Sequence, residues 1–141
     1  MSDCLRIALF PGSFDPITVG HESIVRRAVG MFDKIIVGVG VNSDKNAMFP
    51  TDKRVELIKK VFADEPKVEV LAYSGLTADY CKKNNIRYIL RGLRTSADFE
   101  FERTIAHAKQ YLDQNLETVF MLTLPEHSFI SSTIVRDIAR H

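Results

Sequence analysis

The chain has 141 residues, of which 45% are hydrophobic and 26% are charged, and this length suits a single domain with one sizeable core. Its 19 Lys and Arg residues nearly balance 18 Asp and Glu residues, giving a formal net charge of +1, which excludes the overall basic field typical of nucleic-acid-binding proteins. Cys4 and Cys81 lie far apart without metal-ligand spacing and no apolar run reaches transmembrane length, so we expect a cytoplasmic protein without membrane contact, with Cys81 as a core residue.

Strand and helix patterns alternate along the chain. Short runs rich in Val and Ile predict five strands, at 5–10, 34–41, 67–73, 86–91 and 117–123. Apolar residues three or four positions apart predict helix faces between the strands, and these are Ile24, Ala28 and Met31, then Val55, Ile58 and Phe62, then Ile105, Ala108 and Leu112. Thr51, Ser96 and Ser131 stand where helices should begin, and their hydroxyls suit capping.

This alternation predicts an α/β fold, a Rossmann-like doubly wound sheet of about five parallel strands with helices on both faces. The nearly continuous apolar strands agree with burial on both faces of the sheet. In such sheets ligands bind beyond the carboxyl ends of the strands. The loops after the first, second and fourth strands are therefore the candidate binding segments.

The segment PGSFDPITVGH at 11–21 follows the first strand. Gly12 and Ser13 offer a backbone N–H and a hydroxyl to phosphate, and Gly20 leaves room beside His21 at a helix N-terminus, where anions are favoured. A tight turn with a capping histidine is the alternative interpretation. The segment matches neither GxxxxGK[ST] nor GxGxxG, which counts against kinases and dehydrogenases.

A lysine follows the second strand within VNSDKNAMFPTDKR at 41–54. From this position Lys45 can reach the carboxyl-end site and neutralise phosphate charge, although most lysines are solvated surface residues. Lys53 and Arg54 begin the next helix, and we expect them to form a solvated face.

The fourth strand leads into RYILRGLRTSADFEFE at 87–102. Arg91 and Arg94 flank Gly92 and Leu93, so a tight turn would present two guanidinium groups to phosphate oxygens. Ion pairs with Asp98 or Glu102 are the alternative for the same two arginines. Asp98 and Glu100 lie at the start of the next helix, where acidic side chains complement the positive end of the helix dipole.

The final strand leads into PEHSFISSTIVRDIARH at 125–141. Ser131, Ser132 and Thr133 open a helix, and their hydroxyls and backbone N–H groups suit a nucleotide triphosphate. Arg136 follows about one turn later. An ordinary serine cap is the alternative.

These segments together resemble one known family. TVGH at 18–21, SDKNAMF, SGLTADYC, LRGLRTSADFEFE and FISSTIVR are similar to successive motifs of the phosphopantetheine adenylyltransferase branch of the nucleotidyltransferase superfamily. The resemblance implies one nucleotidyltransferase domain over 1–141. The chain departs from the family pattern at His127, where an aromatic Tyr or Trp is usual. It also departs at the C-terminus, where we expect the usual helical extension to be absent.

The resemblance also implies roles for individual residues. The implied catalytic residues are His21, Lys45 and Arg91. The implied ATP-binding residues are Ser13, Phe14, His21, Gly92, Leu93, Arg94, Glu102, His127, Ser128, Phe129, Ile130, Ser131, Ser132 and Thr133. The implied residues for the second substrate are Ser13, Lys45, Thr77 and Arg91, and no metal-ligating protein residue is expected.

For the family, the implied reaction transfers the adenylyl group of ATP to 4'-phosphopantetheine and yields dephospho-coenzyme A and pyrophosphate. Mg²⁺ bound chiefly through the ATP phosphates, a homohexamer and feedback by coenzyme A are further implications. Another nucleotidyltransferase, such as a nicotinamide mononucleotide adenylyltransferase, and a catalytically silent sensor of ATP or coenzyme A are the alternative functions.

Overall fold

The computed structural model describes residues 5–41, 47–124 and 132–140. In chain order its elements are β1 Ile7–Gly12, α1 Val19–Ala28, β2 Lys34–Gly40, α2 Thr51–Val61, β3 Val68–Tyr73, α3 Thr77–Lys83, β4 Tyr88–Leu93, α4 Ser96–Leu112, β5 Glu117–Leu122 and α5 Ser132–Arg140. The strands form one parallel sheet in the order β3-β2-β1-β4-β5. No helix in the described ranges is long and apolar enough to cross a membrane. The predicted five-stranded Rossmann-like fold is confirmed.

Successive residues of the central strands point into two separate cores, as the strand pleat requires. Phe10 of β1 belongs to one apolar cluster with Ile24 of α1 and Ile58 of α2. The preceding residue, Leu9, belongs to a second cluster with Cys81 of α3. Helices therefore cover both faces of the sheet, and Cys81 is a buried core residue, as predicted.

A crevice opens where the strand order changes direction. β1 pairs with β2 along its whole length, whereas its pairing with β4 consists of Ala8 with Tyr88 and Leu9 with Ile89. Beyond these pairs β4 continues beside β5 to Leu93. The carboxyl ends of β1 and β4 are thus unpaired with each other, which is the usual place for a ligand in such sheets.

Two strands extend further than predicted. β1 includes Pro11 and Gly12, and β4 includes Gly92 and Leu93. Leu93 is buried and pairs with Leu122, so packing and sheet pairing carry β4 past the glycine. The prediction that the Arg-Gly-Leu-Arg segment forms a tight turn was therefore wrong.

Two helix caps also differ from the prediction. The N-cap of α2 is Pro50, and Thr51 is the first helical residue. The N-cap of α4 is Thr95 rather than Ser96 because the Thr95 hydroxyl accepts the N–H of Asp98 at 3.1 Å. The Asp98 carboxylate in turn accepts the Thr95 N–H, which gives a reciprocal capping box.

Two predicted helix faces were partly wrong. α1 ends at Ala28, so Met31 lies in the following turn and is exposed. In α4, Ile105 is half-buried whereas Ala108 and Leu112 are exposed. None of the side chains described for α4 is buried. This helix therefore leaves most of its apolar surface uncovered.

Candidate active site

The crevice between β1 and β4 contains a cavity of about 300 Å³. Its walls come from the carboxyl ends of both strands, the loop before α1, the first two turns of α1 and α4, the residue after β5 and the first residue of α5. Within the described ranges the lining residues are Phe10, Pro11, Gly12, Ser13, Phe14, Thr18, Gly20, His21, Ile24, Arg91, Gly92, Arg94, Asp98, Phe101, Glu102, Thr123 and Ser132. The fold thus brings together segments from three of the motifs that the sequence indicates.

Thr18 and His21 form a capping box at the start of α1. The Thr18 hydroxyl accepts the backbone N–H of His21 at 3.5 Å, and the His21 Nδ1 accepts the backbone N–H of Thr18 at 3.0 Å. An Nδ1 that accepts a backbone N–H cannot carry a proton, so the ring proton of neutral His21 is on Nε2. The capping interpretation and the phosphate-binding interpretation of His21 are therefore compatible.

The environment of His21 keeps its ring uncharged. Its ring packs edge-on against Phe14 with a centroid distance of 4.9 Å. Burial is the main cause that lowers the pKa of His21 from 6.5 to about 4, and the positive charges of Arg91 and then Arg94 lower it further. At neutral pH the ring is therefore a hydrogen-bond donor through Nε2 and carries no charge.

Phe14 adopts an unusual backbone conformation in the loop after β1. Its φ is 48°, in the left-handed region that costs a residue with a Cβ about 1–3 kcal/mol. Its ring is buried, and a Cβ added to Gly12 would come within 3.1 Å of it. Ser13, between these two residues, lines the cavity. The loop thus places Ser13 by folding Phe14 back onto the end of β1.

Arg91 is a fixed cation in the cavity wall. Its Nε and Nη2 donate to the two carboxylate oxygens of Glu102 at 3.1 and 2.6 Å, and its Nη1 donates to the carbonyl oxygen of Pro11 at 2.7 Å. The Glu102 side chain is 11% exposed and that of Arg91 is 29% exposed. This planar, two-point pairing holds the guanidinium across the crevice from β4 to β1.

Arg94 follows the end of β4 and is more exposed than Arg91. Its Nε lies 3.6 Å from a carboxylate oxygen of Asp98, with 41% of the Arg94 side chain exposed. Both arginines therefore have the ion-pair partners proposed as their alternative role, and both also line the cavity. Gly92 lines it as well, and a Cβ there would come within 3.2 Å of Ile24. The Leu93 side chain is buried in the core.

The start of α5 reaches the opposite rim. The Ser132 hydroxyl lines the cavity and donates to the carbonyl oxygen of Pro16 at 2.7 Å. Thr133 is exposed, and its hydroxyl accepts a hydrogen bond from Nη2 of Arg136 at 3.2 Å. Arg136 also donates to the carbonyl oxygen of Asp15 at 2.6 Å. Arg136 thus ties α5 to the loop after β1.

Several predicted residues are not part of this cavity. Thr77 is the first residue of α3, where its hydroxyl hydrogen-bonds that of Tyr73 at 2.9 Å, and it does not line the cavity. The predictions for Lys45, His127, Ser128, Phe129, Ile130 and Ser131 fall outside the described residues.

Sequence reasoning missed two charged residues next to the site. Arg54, expected on a solvated face, is only 7% exposed and donates to the carbonyl oxygen of Ser13 at 2.7 Å. Asp15 is 4% exposed and accepts two backbone N–H groups from Met48 and Phe49. The position of Arg54 four residues before Ile58 was an available signal, because residues at this spacing share a helix face.

The chemistry of the cavity favours anions. His21, Arg91 and Arg94 provide donors, whereas the carboxylates of Asp98 and Glu102 are both engaged by arginines. The described residues contain no group of three or more His, Cys, Asp or Glu side chains suited to hold a metal ion. These cationic and neutral N–H donors suit the oxygens of a phosphate group, and any Mg²⁺ bound with it would have to be held mainly by phosphate oxygens and water.

Comparison with known proteins gives concordant matches. A family profile described as cytidylyltransferase-like matches residues 9–138. A phosphopantetheine adenylyltransferase of Flavobacterium johnsoniae is 54% identical over 97% of this chain and 90% of its own. The protein of the same name from Flavobacterium psychrophilum is 53% identical with the same coverage.

A solved structure of low sequence identity shares the fold. It is a lipopolysaccharide core biosynthesis protein from Thermoplasma volcanium, with a TM-score of 0.63 and 18% identity over 85% of this chain and 98% of its own.

Proposed function

This chain belongs to the cytidylyltransferase-like family and, within it, to the phosphopantetheine adenylyltransferases, and we propose that the crevice between β1 and β4 carries out the family's reaction. That reaction joins the adenylyl group of ATP to the phosphate of 4'-phosphopantetheine. A phosphate oxygen of the acceptor attacks the α-phosphorus of ATP. The bond from that phosphorus to the bridging oxygen breaks, and pyrophosphate leaves.

The observation that carries this proposal is the convergence of a neutral histidine and two arginines on one cavity. The reactants are both polyanions, so bringing them together is the main task of the site. Arg91 and Arg94 supply positive charge, and His21 supplies a donor at Nε2. Donors that are already in place when charge develops stabilise a transition state without reorganisation.

We assign the acceptor phosphate to Ser13 together with Lys45. Ser13 lines the cavity at the carboxyl end of β1, and Lys45 is proposed for this role from its family motif alone. Thr77 is proposed to contact the pantetheine portion of the acceptor, outside the described cavity. The acceptor phosphate is largely ionised near neutral pH, so its attack requires no general base.

His21 and Arg91 are proposed to bind oxygens of the α-phosphoryl group. Arg91 suits this role because its pairing with Glu102 and Pro11 fixes the guanidinium before a ligand arrives. His21 suits it because a neutral ring with its proton on Nε2 donates without needing to be charged. Glu102 is thereby assigned to orienting Arg91 beside the nucleotide.

Departure of pyrophosphate is assigned to Arg94 and the first turn of α5. Arg94 is the more exposed cation at the cavity, and α5 presents Ser132 at its N-terminus. The positive end of a helix favours anions. Ser131, Thr133 and 127–130 are proposed to complete the nucleotide site, as are Phe14 and the backbone of Gly92 and Leu93. Mg²⁺ would be held by the ATP phosphates, whose negative charge it would reduce.

We also propose a homohexamer in the cytoplasm that binds coenzyme A as a feedback ligand. Uncovered apolar surface on the last elements supports self-association. Tyr111 and Leu112 of α4, Leu122 of β5 and Ile138 of α5 are 87%, 54%, 72% and 73% exposed. Surfaces of this kind are typical of protein contacts. Sedimentation velocity tests the assembly, and a monomer at micromolar concentration would contradict it.

The test of the function is pyrophosphate release from ATP and Mg²⁺ with and without 4'-phosphopantetheine. Release that depends on the acceptor and yields dephospho-coenzyme A is the expected result. Turnover with nicotinamide mononucleotide alone would indicate the other adenylyltransferase activity. ATP binding by folded protein without turnover on either acceptor would indicate a sensor.

A further inference from the structure

Two charged side chains lie buried behind the cavity wall, and neither touches the cavity. Asp15 is 4% exposed and Arg54 is 7% exposed, and they are the buried charged residues of the described ranges. Burying a charged group costs free energy that its hydrogen bonds must offset, so buried charges are weak evidence of a contribution to stability. Fold stability alone is therefore a weak explanation for this pair.

The Asp15 carboxylate joins three parts of the chain. Its Oδ2 accepts the backbone N–H of Met48 at 2.7 Å, and its Oδ1 accepts that of Phe49 at 2.9 Å. Nη1 of Arg136 lies 3.8 Å from Oδ2 and donates to the Asp15 carbonyl oxygen at 2.6 Å. The loop after β1, the chain just before α2 and helix α5 therefore meet at Asp15.

Arg54 makes the complementary contacts from α2. Its Nη1 donates to the carbonyl oxygen of Ser13 at 2.7 Å, its Nε to that of Phe49 at 3.0 Å, and its Nη2 to the hydroxyl of Thr51 at 3.1 Å. Phe49 thus offers its N–H to Asp15 and its carbonyl to Arg54. All three acceptors of Arg54 are uncharged oxygens, and two of them are backbone carbonyls, so Arg54 fixes the backbone at Ser13 and Phe49.

These contacts flank the strained residue of the loop. Arg54 holds Ser13 on one side of Phe14, and the Asp15 network holds the other side. A left-handed residue with a Cβ persists only where its surroundings determine its conformation. Loss of either anchor would let Phe14 relax, and Ser13 would then move away from the end of β1.

We propose that Asp15 and Arg54 are positioning residues that hold Ser13 where the acceptor phosphate binds. This inference rests on the proposed function, since it assigns the network to the same acceptor site. Arg54 acts through Ser13 and does not touch the substrate. Its effect should therefore appear in acceptor binding and should vanish when the Ser13 hydroxyl is absent.

A double-mutant cycle of Arg54→Met and Ser13→Ala tests this coupling. Arg54→Met should raise the KM for 4'-phosphopantetheine about tenfold and raise the Kd for ATP by a smaller factor, which reflects the proposed place of Phe14 in the nucleotide site. In the Ser13→Ala background, Arg54→Met should raise the KM for 4'-phosphopantetheine by less than about twofold. Additive effects, or an unchanged acceptor KM, would overturn the proposal. Lys53→Met, a change at the neighbouring position on the exposed side of α2, should leave both constants unchanged.

Two further measurements separate positioning from folding and from the proposed function. If Arg54→Met does not fold, the same cycle is run with Arg54→Lys, which keeps the charge but replaces the guanidinium fork with a single nitrogen. Asp15→Asn provides an independent weakening of the network. Melting temperatures show that each variant is folded at the assay temperature. If the wild type turns over but the effects of the Arg54 and Ser13 substitutions on the acceptor KM are additive, only the positioning role of the network is rejected. If the wild type neither binds nor uses the acceptor, both proposals are rejected.

Discussion

The backbone N–H of Thr18 donates to Nδ1 of His21 across 3.0 Å. This one contact places the ring proton on Nε2 and also completes the cap of α1. The residue that caps the helix and the residue proposed to bind phosphate are therefore parts of one local structure.

We expect His21 to titrate near pH 4 when its ring signals are followed by NMR. Burial is the main reason for the low pKa, and Arg91 and Arg94 add to it. Replacing Arg94 with Ala should therefore raise the pKa, but by less than Arg91→Ala does. The His21→Gln variant identifies the signal by its absence. Titration near the ordinary value of 6.5 would contradict the buried, neutral ring.

Stability should fall as the pH decreases from about 6.5 towards 4. In this range the unfolded chain protonates His21 while the folded protein does not, so protons favour unfolding. The shift from 6.5 to about 4 corresponds to at most about 3 kcal/mol. Urea unfolding at several pH values measures the effect, with His21→Gln as the reference. A difference between the two proteins that stays constant with pH would refute this expectation.

His21→Ala should lower kcat by about a hundredfold or more, the usual loss when one transition-state donor is removed. The fold and ATP binding should be largely kept. Because His21 also caps α1, the variant should lose about 1 kcal/mol of stability. Thr18→Ala removes the other half of the cap and should cost similar stability with a much smaller loss of turnover. Equal turnover losses would assign His21 to helix capping.

Glu102→Gln should lower kcat about tenfold, or about 1.4 kcal/mol of transition-state stabilisation, because Arg91 loses a charged, two-point partner. Glu100→Gln is the matched control, since Glu100 pairs with the exposed Arg103 on the same helix. If Glu102 only contacts the nucleotide, the KM for ATP should rise while kcat is kept. Steady-state kinetics distinguish these results.

Lys45→Ala should raise the KM for 4'-phosphopantetheine more than the KM for ATP. The reason is its proposed contact with the acceptor phosphate, a point charge whose loss weakens an ionic interaction. Lys53→Ala, from the exposed start of α2, is the control. An equal loss for both substrates would argue against separate acceptor and nucleotide roles.

The strands were predictable because the fold depends on their apolar runs, and their residues fill both cores. Their ends were less predictable, since Leu93 extends β4 through packing and through pairing with β5. Arg91 was predicted as the last residue of its strand, and the extension places it inside the strand. No local pattern in the Arg-Gly-Leu-Arg segment distinguishes a strand end from a turn.

The sequence motifs indicate the residues that line the cavity, but they indicate fewer of the residues that these side chains contact. The pairing of Arg91 with Glu102 was foreseen as an alternative, whereas its contact with Pro11 links positions 80 residues apart. The adjacent basic residues Lys53 and Arg54 look alike in the sequence, but they lie on different sides of α2. The helix turns one side chain outward and the other towards Ser13.

The strand order also determines when, during synthesis, an anion site first exists. A nascent chain that has emerged only as far as α3 contains β1, β2 and β3, and the carbonyl of Pro11 then faces no arginine. Arg91 completes the contact, and Glu102 fixes it eleven residues later. Any stabilisation that a phosphate ligand gives this fold through Arg91 is therefore unavailable to an N-terminal fragment, and the first three strands must hold together by their sheet pairing and apolar packing without it.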